Sequence, residues 1–166
     1  MAEKISSEDV RRMFRKDLIL IKPLIADREE LIRLMAAQAE AKELVLPTFT
    51  EAVLKREVNY PTGLSTEYIN VAVPHTDACH VVSQAIVVAK VDPPVEFAAM
   101  GMSDDIIPVN YVFMLLLKKD NTQVPLLQKL MNLCADEAAT AALKAADTAE
   151  EVLRVLHGYY GQAALS

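Results

Sequence analysis

At 166 residues and 52% hydrophobic, the chain can bury one sizeable core and is short for two, so a single domain is expected. A net charge of -6 supplies no basic stripe for a nucleic-acid backbone, although a local cationic or amide-lined pocket could still meet a phosphorylated partner. The longest apolar run, Val112 to Leu117, falls far short of a membrane span and Met1-Ala2-Glu3-Lys4 lacks a signal-peptide h-region, while Cys79 and Cys134 form no disulfide framework or paired metal spacing, so a cytoplasmic protein without membrane insertion is expected.

Residues 1–16 carry a weak helical signal in Val10, Met13 and Phe14, after Ser6 or Ser7, and are set apart as an N-terminal extension. Leu18 to Ile21, stopped by Pro23, reads as a short buried strand. Asp27-Arg28-Glu29-Glu30 opens a capped helix that runs to about Lys42 on the apolar face of Leu31, Leu34 and Met35. Thr48-Phe49-Thr50-Glu51 after Pro47 matches a capping box, which predicts a helix from Phe49 to about Val58. At about 100° per residue Arg56 shares the arc of Phe49, Ala52 and Val53. It must snorkel, form a structural ion pair, or offer its planar fork of donors to an anion.

Pro61-Thr62-Gly63 is a turn, and Tyr68 to Val73 a strand that is apolar on both parities, as a central position covered on two faces requires. Pro74 cannot donate to a ladder, so His75 should emerge at the strand's C-terminal end, where open α/β sheets place their chemistry. Ala85 to Val91, ended by Asp92-Pro93-Pro94, and Val109 to Leu117 are two further strands. Asn121 or Thr122 caps a helix with Gln123 and Pro125 in its first turn and Val124, Leu127, Leu130, Met131 and Cys134 as its buried stripe. Gln123 is then either an exposed first-turn residue or a donor at a positive helix end.

Glu137 to Ala145 is helical, and Thr148-Ala149-Glu150-Glu151 opens a last helix that Gly158 should end, with His157 capping its C-terminus. Strands interleaved with helices indicate an α/β fold, a mixed β-sheet flanked by helices on both faces, because some connections are too short for helical crossovers.

The richest stretch is Pro61 to His80, with His75, Asp77, Cys79 and His80 close together at its end. A metal site from His75, Cys79 and His80 has an unusual spacing and no visible fourth ligand. A Cys79 nucleophile lacks an activating base, since His80 points the other way in an extended segment. Structural histidines are the plain alternative. The remaining reading is phosphoryl transfer through His75, whose neutral imidazole is a good nucleophile and, once phosphorylated, a good leaving group. Arg56 and Gln123 are donors suited to the charge on the equatorial oxygens, and no phosphate-binding Gly-Lys loop calls for a nucleotide.

Pro61-Thr62-Gly63-Leu64 followed by Val71-Ala72-Val73-Pro74-His75-Thr76-Asp77 and His80 resembles the enzyme IIA domain of the fructose and mannitol class of the bacterial phosphoenolpyruvate-dependent sugar phosphotransferase system, closest to its galactitol-type branch. The likeness runs from about Ile19 to Leu156, which sets the domain at 17–158 and a tail at 159–166. It implies that His75 takes phosphate from the phosphorylated histidine phosphocarrier protein (HPr) and gives it to a cysteine of a cognate IIB component, which serves a membrane IIC. It also implies that Arg56 holds the phosphoryl group, that Thr62 and Gly63 shape the turn beside it as part of the phosphoryl-binding set, and that no cofactor or metal is needed. The family's usual second active-site histidine is replaced by Gln123, which donates a neutral hydrogen bond at every working pH. Thr76, Asp77 and His80 fall at the edge, as orienting or partner-contact groups. A regulatory module that keeps the fold and its phosphorylation while controlling another protein is the competing reading.

Overall fold

The computed structural model describes residues 4–101 and 103–165. Ser6 caps α1, Ser7–Met13, in a capping box with Asp9. β1 spans Phe14–Ile21, α2 Arg28–Ala41, α3 Phe49–Asn59, β2 Gly63–Ser65 and β3 Asn70–Ala72. β4 spans Ala85–Ala98, β5 Ile106–Leu116, α4 Gln123–Cys134, α5 Glu137–Ala145 and α6 Ala149–Leu165, with short 3-10 turns at Ala78–His80 and Asp120–Thr122. The five strands form one mixed sheet in the order β1-β4-β5-β3-β2. β1 runs parallel to β4 and β3 parallel to β5, whereas β4 and β5 form an antiparallel hairpin and β2 returns antiparallel on β3.

The alternation along the central strands sorts side chains to two cores. Ile86, Val88, Tyr111, Phe113 and Leu115 face one cluster with α1, α4, α5 and α6. Val87, Ala89, Val112, Met114 and Leu116 face the other, under α2 and α3. The expected α/β sandwich with helices on both faces is therefore the observed architecture.

Several expectations are corrected. The helix signalled after Ser6 is present as α1 with Val10 and Met13 buried, whereas Phe14, expected on its face, begins β1 ahead of the expected start at Leu18. β4 does not stop at Asp92-Pro93-Pro94. The pairing runs Lys90 with Tyr111 and then Val95 with Val109, so the prolines, which have no N–H to give, lie in an irregularity that the ladder steps over. The Asp92–Pro93 peptide is cis.

Helix α4 buries Leu126, Leu130, Leu133 and Cys134, and Val124 is 69% exposed because two residues of helix turn it away from Leu126. Leu127 and Met131 flank that stripe half-buried. Gly158 does not end α6. A helix-interior glycine costs only about 1 kcal/mol, and burial of Tyr160, stacked on Phe14 at 5.8 Å, holds the helix past it. His157 accordingly lies mid-helix, with Nε2 3.0 Å from the Phe14 carbonyl.

Candidate active site

The parallel pairing of β3 with β5 sends both chains out of the sheet at the same end, and the start of β2 lies there too, because Gly63 pairs with Ala72. Beyond Ala72 the chain leaves the ladder through Val73 and Pro74, whose carbonyl still accepts the Leu115 N–H at 3.0 Å, and delivers His75. The imidazole is 5% exposed. Its Nδ1 lies 2.7 Å from the Val73 carbonyl. A carbonyl can only accept, so Nδ1 carries the proton and Nε2 keeps its lone pair. Burial pulls the His75 pKa below the ordinary 6.5 and the charge of Arg56 acts the same way, against the Val73 bond and Asp77. The ring is therefore neutral near pH 7.

His75 Nε2 has no hydrogen-bond partner, and the other buried side-chain polar atom so placed among the described residues is Arg56 Nε. Buried polar atoms are normally satisfied, so two unsatisfied ones on residues whose charges influence each other make a candidate binding point. Arg56, in the last turn of α3, is held by Asp77, 3.6 Å from its Nη1, and lies 5.3 Å from the centre of the Tyr60 ring.

The segment after His75 is pinned from three sides. The Ala78 N–H donates to Asp120 Oδ1 at 2.7 Å, which ties it to the turn that opens α4 with Gln123. His80 Nδ1 is 2.8 Å from Thr48 Oγ1, and the His80 carbonyl accepts the Leu46 N–H. The predicted capping box of α3 is thereby broken. Thr48 has helical backbone angles and spends its hydroxyl on His80, while Glu51 pairs with Arg33 at 2.9 Å. Thr122 likewise makes no side-chain cap, its hydroxyl donating to the Lys119 carbonyl. Gln123 is half-buried at the first position of α4, Thr76 is buried beside His75, and Asp77 is exposed.

Thr62 and Gly63 stand behind the ring. Thr62 is 3% exposed, its hydroxyl donating to Glu57 Oε1 at 2.7 Å and accepting the Val73 N–H at 3.1 Å. A Cβ on Gly63 would lie 2.7 Å from the Ala98 carbonyl, so this position has room for no side chain. Glu57 was missed in the sequence, where its one signal is spacing. Phe49, Val53 and Glu57 recur every fourth residue, which puts a carboxylate on the buried stripe of α3. Cys79 is exposed on the 3-10 turn and Cys134 is buried in α4. Among the described residues no three His, Cys, Asp or Glu side chains are grouped to hold a metal ion, and no helix is long and apolar enough to cross a membrane.

Fold and site together define an α/β protein that presents one neutral histidine nitrogen, next to an arginine, beyond the C-terminal end of β3 in a mixed sheet. The chain belongs to the EIIA 2 family of the phosphoenolpyruvate-dependent sugar phosphotransferase system, which matches over residues 12–158, and is thus a phosphotransferase component. It is 31% identical over 104 residues to the galactitol-specific EIIA component of Escherichia coli strain K12, a stretch covering 63% of this chain and 69% of that protein. Among solved structures, IIA mannitol from Escherichia coli superposes with a TM-score of 0.68 at 26% identity, covering 86% of this chain and 97% of that one. The IIA mannitol chain in a complex with phosphorylated IIB mannitol, also from Escherichia coli, gives 0.69 at 27% identity over 86% and 95%.

Proposed function

We propose that the protein is the cytoplasmic phosphoryl carrier of a sugar or polyol transport system, with His75 as its transient phosphohistidine. The observation that carries this is the pair of buried, unpartnered atoms, His75 Nε2 and Arg56 Nε. The Nε2 lone pair attacks the phosphorus of the phosphorylated histidine phosphocarrier protein. A new N–P bond forms as the donor's N–P bond breaks and its electron pair returns to the donor imidazole. The charge that His75 gains is shared through Nδ1–H with the Val73 carbonyl, so no proton need move.

Arg56 and Gln123 supply donors to the phosphoryl oxygens, and Thr62 and Gly63 hold the turn behind the ring. Asp77 orients Arg56 at 3.6 Å, while Thr76 and His80 shape the rim that meets a partner. The second transfer is to a cysteine thiolate of a cognate IIB, which feeds a membrane IIC; the complex of the mannitol IIA with phosphorylated IIB supports that partnership. The galactitol-specific relative supports a galactitol-like polyol as the cargo.

Incubation with phosphoenolpyruvate, enzyme I and the phosphocarrier should add one acid-labile phosphate per chain. His75→Gln should accept none, and acid-labile labelling of that variant at the wild-type level would end this reading.

A further inference from the structure

Glu57 is a buried carboxylate, 6% exposed, whose hydrogen bonds go to Thr62 and not to His75. It chelates a single residue. Oε2 accepts the Thr62 N–H at 2.8 Å and Oε1 accepts the Thr62 hydroxyl proton at 2.7 Å. With its proton committed to Glu57, the Thr62 oxygen presents its lone pairs to the Val73 N–H, 3.1 Å away. Val73 is the residue whose carbonyl receives His75 Nδ1–H. Two hydrogen bonds link a carboxylate on α3, through the Thr62 hydroxyl just before β2, to the N–H of Val73 just past β3, and the carbonyl of the same residue, on the next peptide, holds the ring nitrogen opposite the reactive one.

We infer that Glu57 is a positioning residue for phosphoryl transfer, acting through Thr62 and Val73 to hold His75 in the tautomer that leaves Nε2 free. The assignment rests on the function proposed above for the reacting atom, and on geometry for everything behind it. Val73 lies past the last ladder pair of β3, Ala72 with Val112, so its N–H has the Thr62 oxygen where a strand would otherwise supply a carbonyl. The chelate requires an ionised carboxylate. If Oε1 carried a proton, it and the Thr62 hydroxyl proton would face one another, and the hydroxyl would have to turn, leaving its own proton unbonded.

Glu57 can change charge under ordinary conditions. Burial pushes its carboxyl from 4.5 up to about 7, against the lowering effect of the two Thr62 bonds and of Arg28. The charged groups facing it from outside α3 are Arg28 and Glu29 of α2, which line with it a cavity of about 330 Å³ together with Ile32, Leu54, Pro61 and Ala98. β4 contributes only Ala98 there. On α3 itself the neighbouring charge is Arg56, beside His75. The cavity gives the carboxyl a route to solvent protons without passing through the active site.

Nitrogen-15 spectra of the His75 ring, read on the full chain without phosphate, test the arrangement apart from any transfer. In the wild type the neutral ring should be the Nδ1–H tautomer and its shifts should show a step near pH 7, distinct from the ring's own titration at lower pH. Glu57→Gln should abolish that step. Thr62→Val should yield a mixture of tautomers and Thr62→Ser should restore one. In single-turnover transfer from the phosphocarrier, Glu57→Gln and Thr62→Val should each be slower by about tenfold or more, with Thr62→Ser close to wild type.

Wild-type tautomer, pH step and transfer rate in both Glu57→Gln and Thr62→Val would overturn the inference. Failure of wild-type protein to take phosphate at any pH would instead remove the proposed function, and the ring spectra would still decide the role of Glu57.

Discussion

Replacing Arg56 by alanine separates a group that serves the reaction from one that holds the fold. Its stabilising contacts are modest. The ion pair with Asp77 is 3.6 Å long between side chains that are 31% and 66% exposed, a setting in which such pairs contribute about 0–1 kcal/mol. The cation–π contact with Tyr60, at 5.3 Å and near solvent, adds about 0.5–1 kcal/mol. A loss of about 1 kcal/mol corresponds to a melting temperature lower by about 2–4 °C for a chain of this size.

Transfer should suffer far more. Removing one preorganised donor from a developing oxyanion costs about 100–1,000-fold in rate. Arg56→Lys, which keeps charge but loses the planar fork, should fall between alanine and wild type. Rapid-quench measurement of phosphate arriving on the chain from the phosphorylated carrier, beside a thermal melt, gives both numbers on one preparation. A melting temperature lower by about 10 °C or more, with a transfer rate within about a factor of two of wild type, would make Arg56 a structural residue and refute the reasoning.

Lys90, 8% exposed in β4, donates to the Lys144 carbonyl at 2.8 Å and the Ala146 carbonyl at 2.5 Å, neutralising the C-terminal end of α5. Lys90→Met fills the same space but leaves both carbonyls without that donor, and urea denaturation should show a loss of about 2–4 kcal/mol. The pH dependence of stability should separate Glu57 from His75. Glu57 has a folded pKa of about 7 against an ordinary 4.5, so the native state binds more protons in between, and its contribution is full below 4.5 and lost as pH rises through 7. His75, with a lowered folded pKa, acts in the opposite sense: its contribution is full above 6.5 and lost as pH falls through the folded value. In the difference between wild type and Glu57→Gln the histidine cancels, so denaturation at matched ionic strength should show wild type losing up to about 3 kcal/mol relative to the variant from pH 4.5 to pH 7. A flat difference would mean that Glu57 does not titrate there.

What could be read from the sequence was set by local rules. The apolar runs inside β4 and β5, the caps at Asp27 and Thr148, and the Pro74 stop before His75 act over a few residues, and each held. Three of the errors share one cause, a long-range partner that outbids the local one. Thr48 caps nothing because His80, distant in sequence, takes its hydroxyl. Gly158 fails to stop α6 because Phe14 stacks with Tyr160. The prolines of β4 fail to end the strand because β5 re-engages it at Val95. At the site, His75 and Arg56 were legible as chemistry, whereas Glu57 reads as one more charged helix residue until the Thr62 contact is seen.

The arrangement of α3 would let two adjacent charged residues take the roles proposed for them at one imidazole without cancelling. Successive side chains on a helix diverge by about 100°, so Arg56 turns toward the partly exposed front, where Asp77 meets it, and Glu57 toward the buried back, where Thr62 meets it. A direct Arg56–Glu57 pair would have neutralised both. Held apart, the cation remains available to the phosphoryl charge in the proposed transfer, and the anion acts through Thr62 and Val73 toward Nδ1. Both are set by the same packing, Phe49 and Val53 wholly buried under one helix. A substitution that shifts α3 on the sheet would therefore disturb donor and positioning group together, and its effect on transfer should exceed the sum expected from its effect on stability.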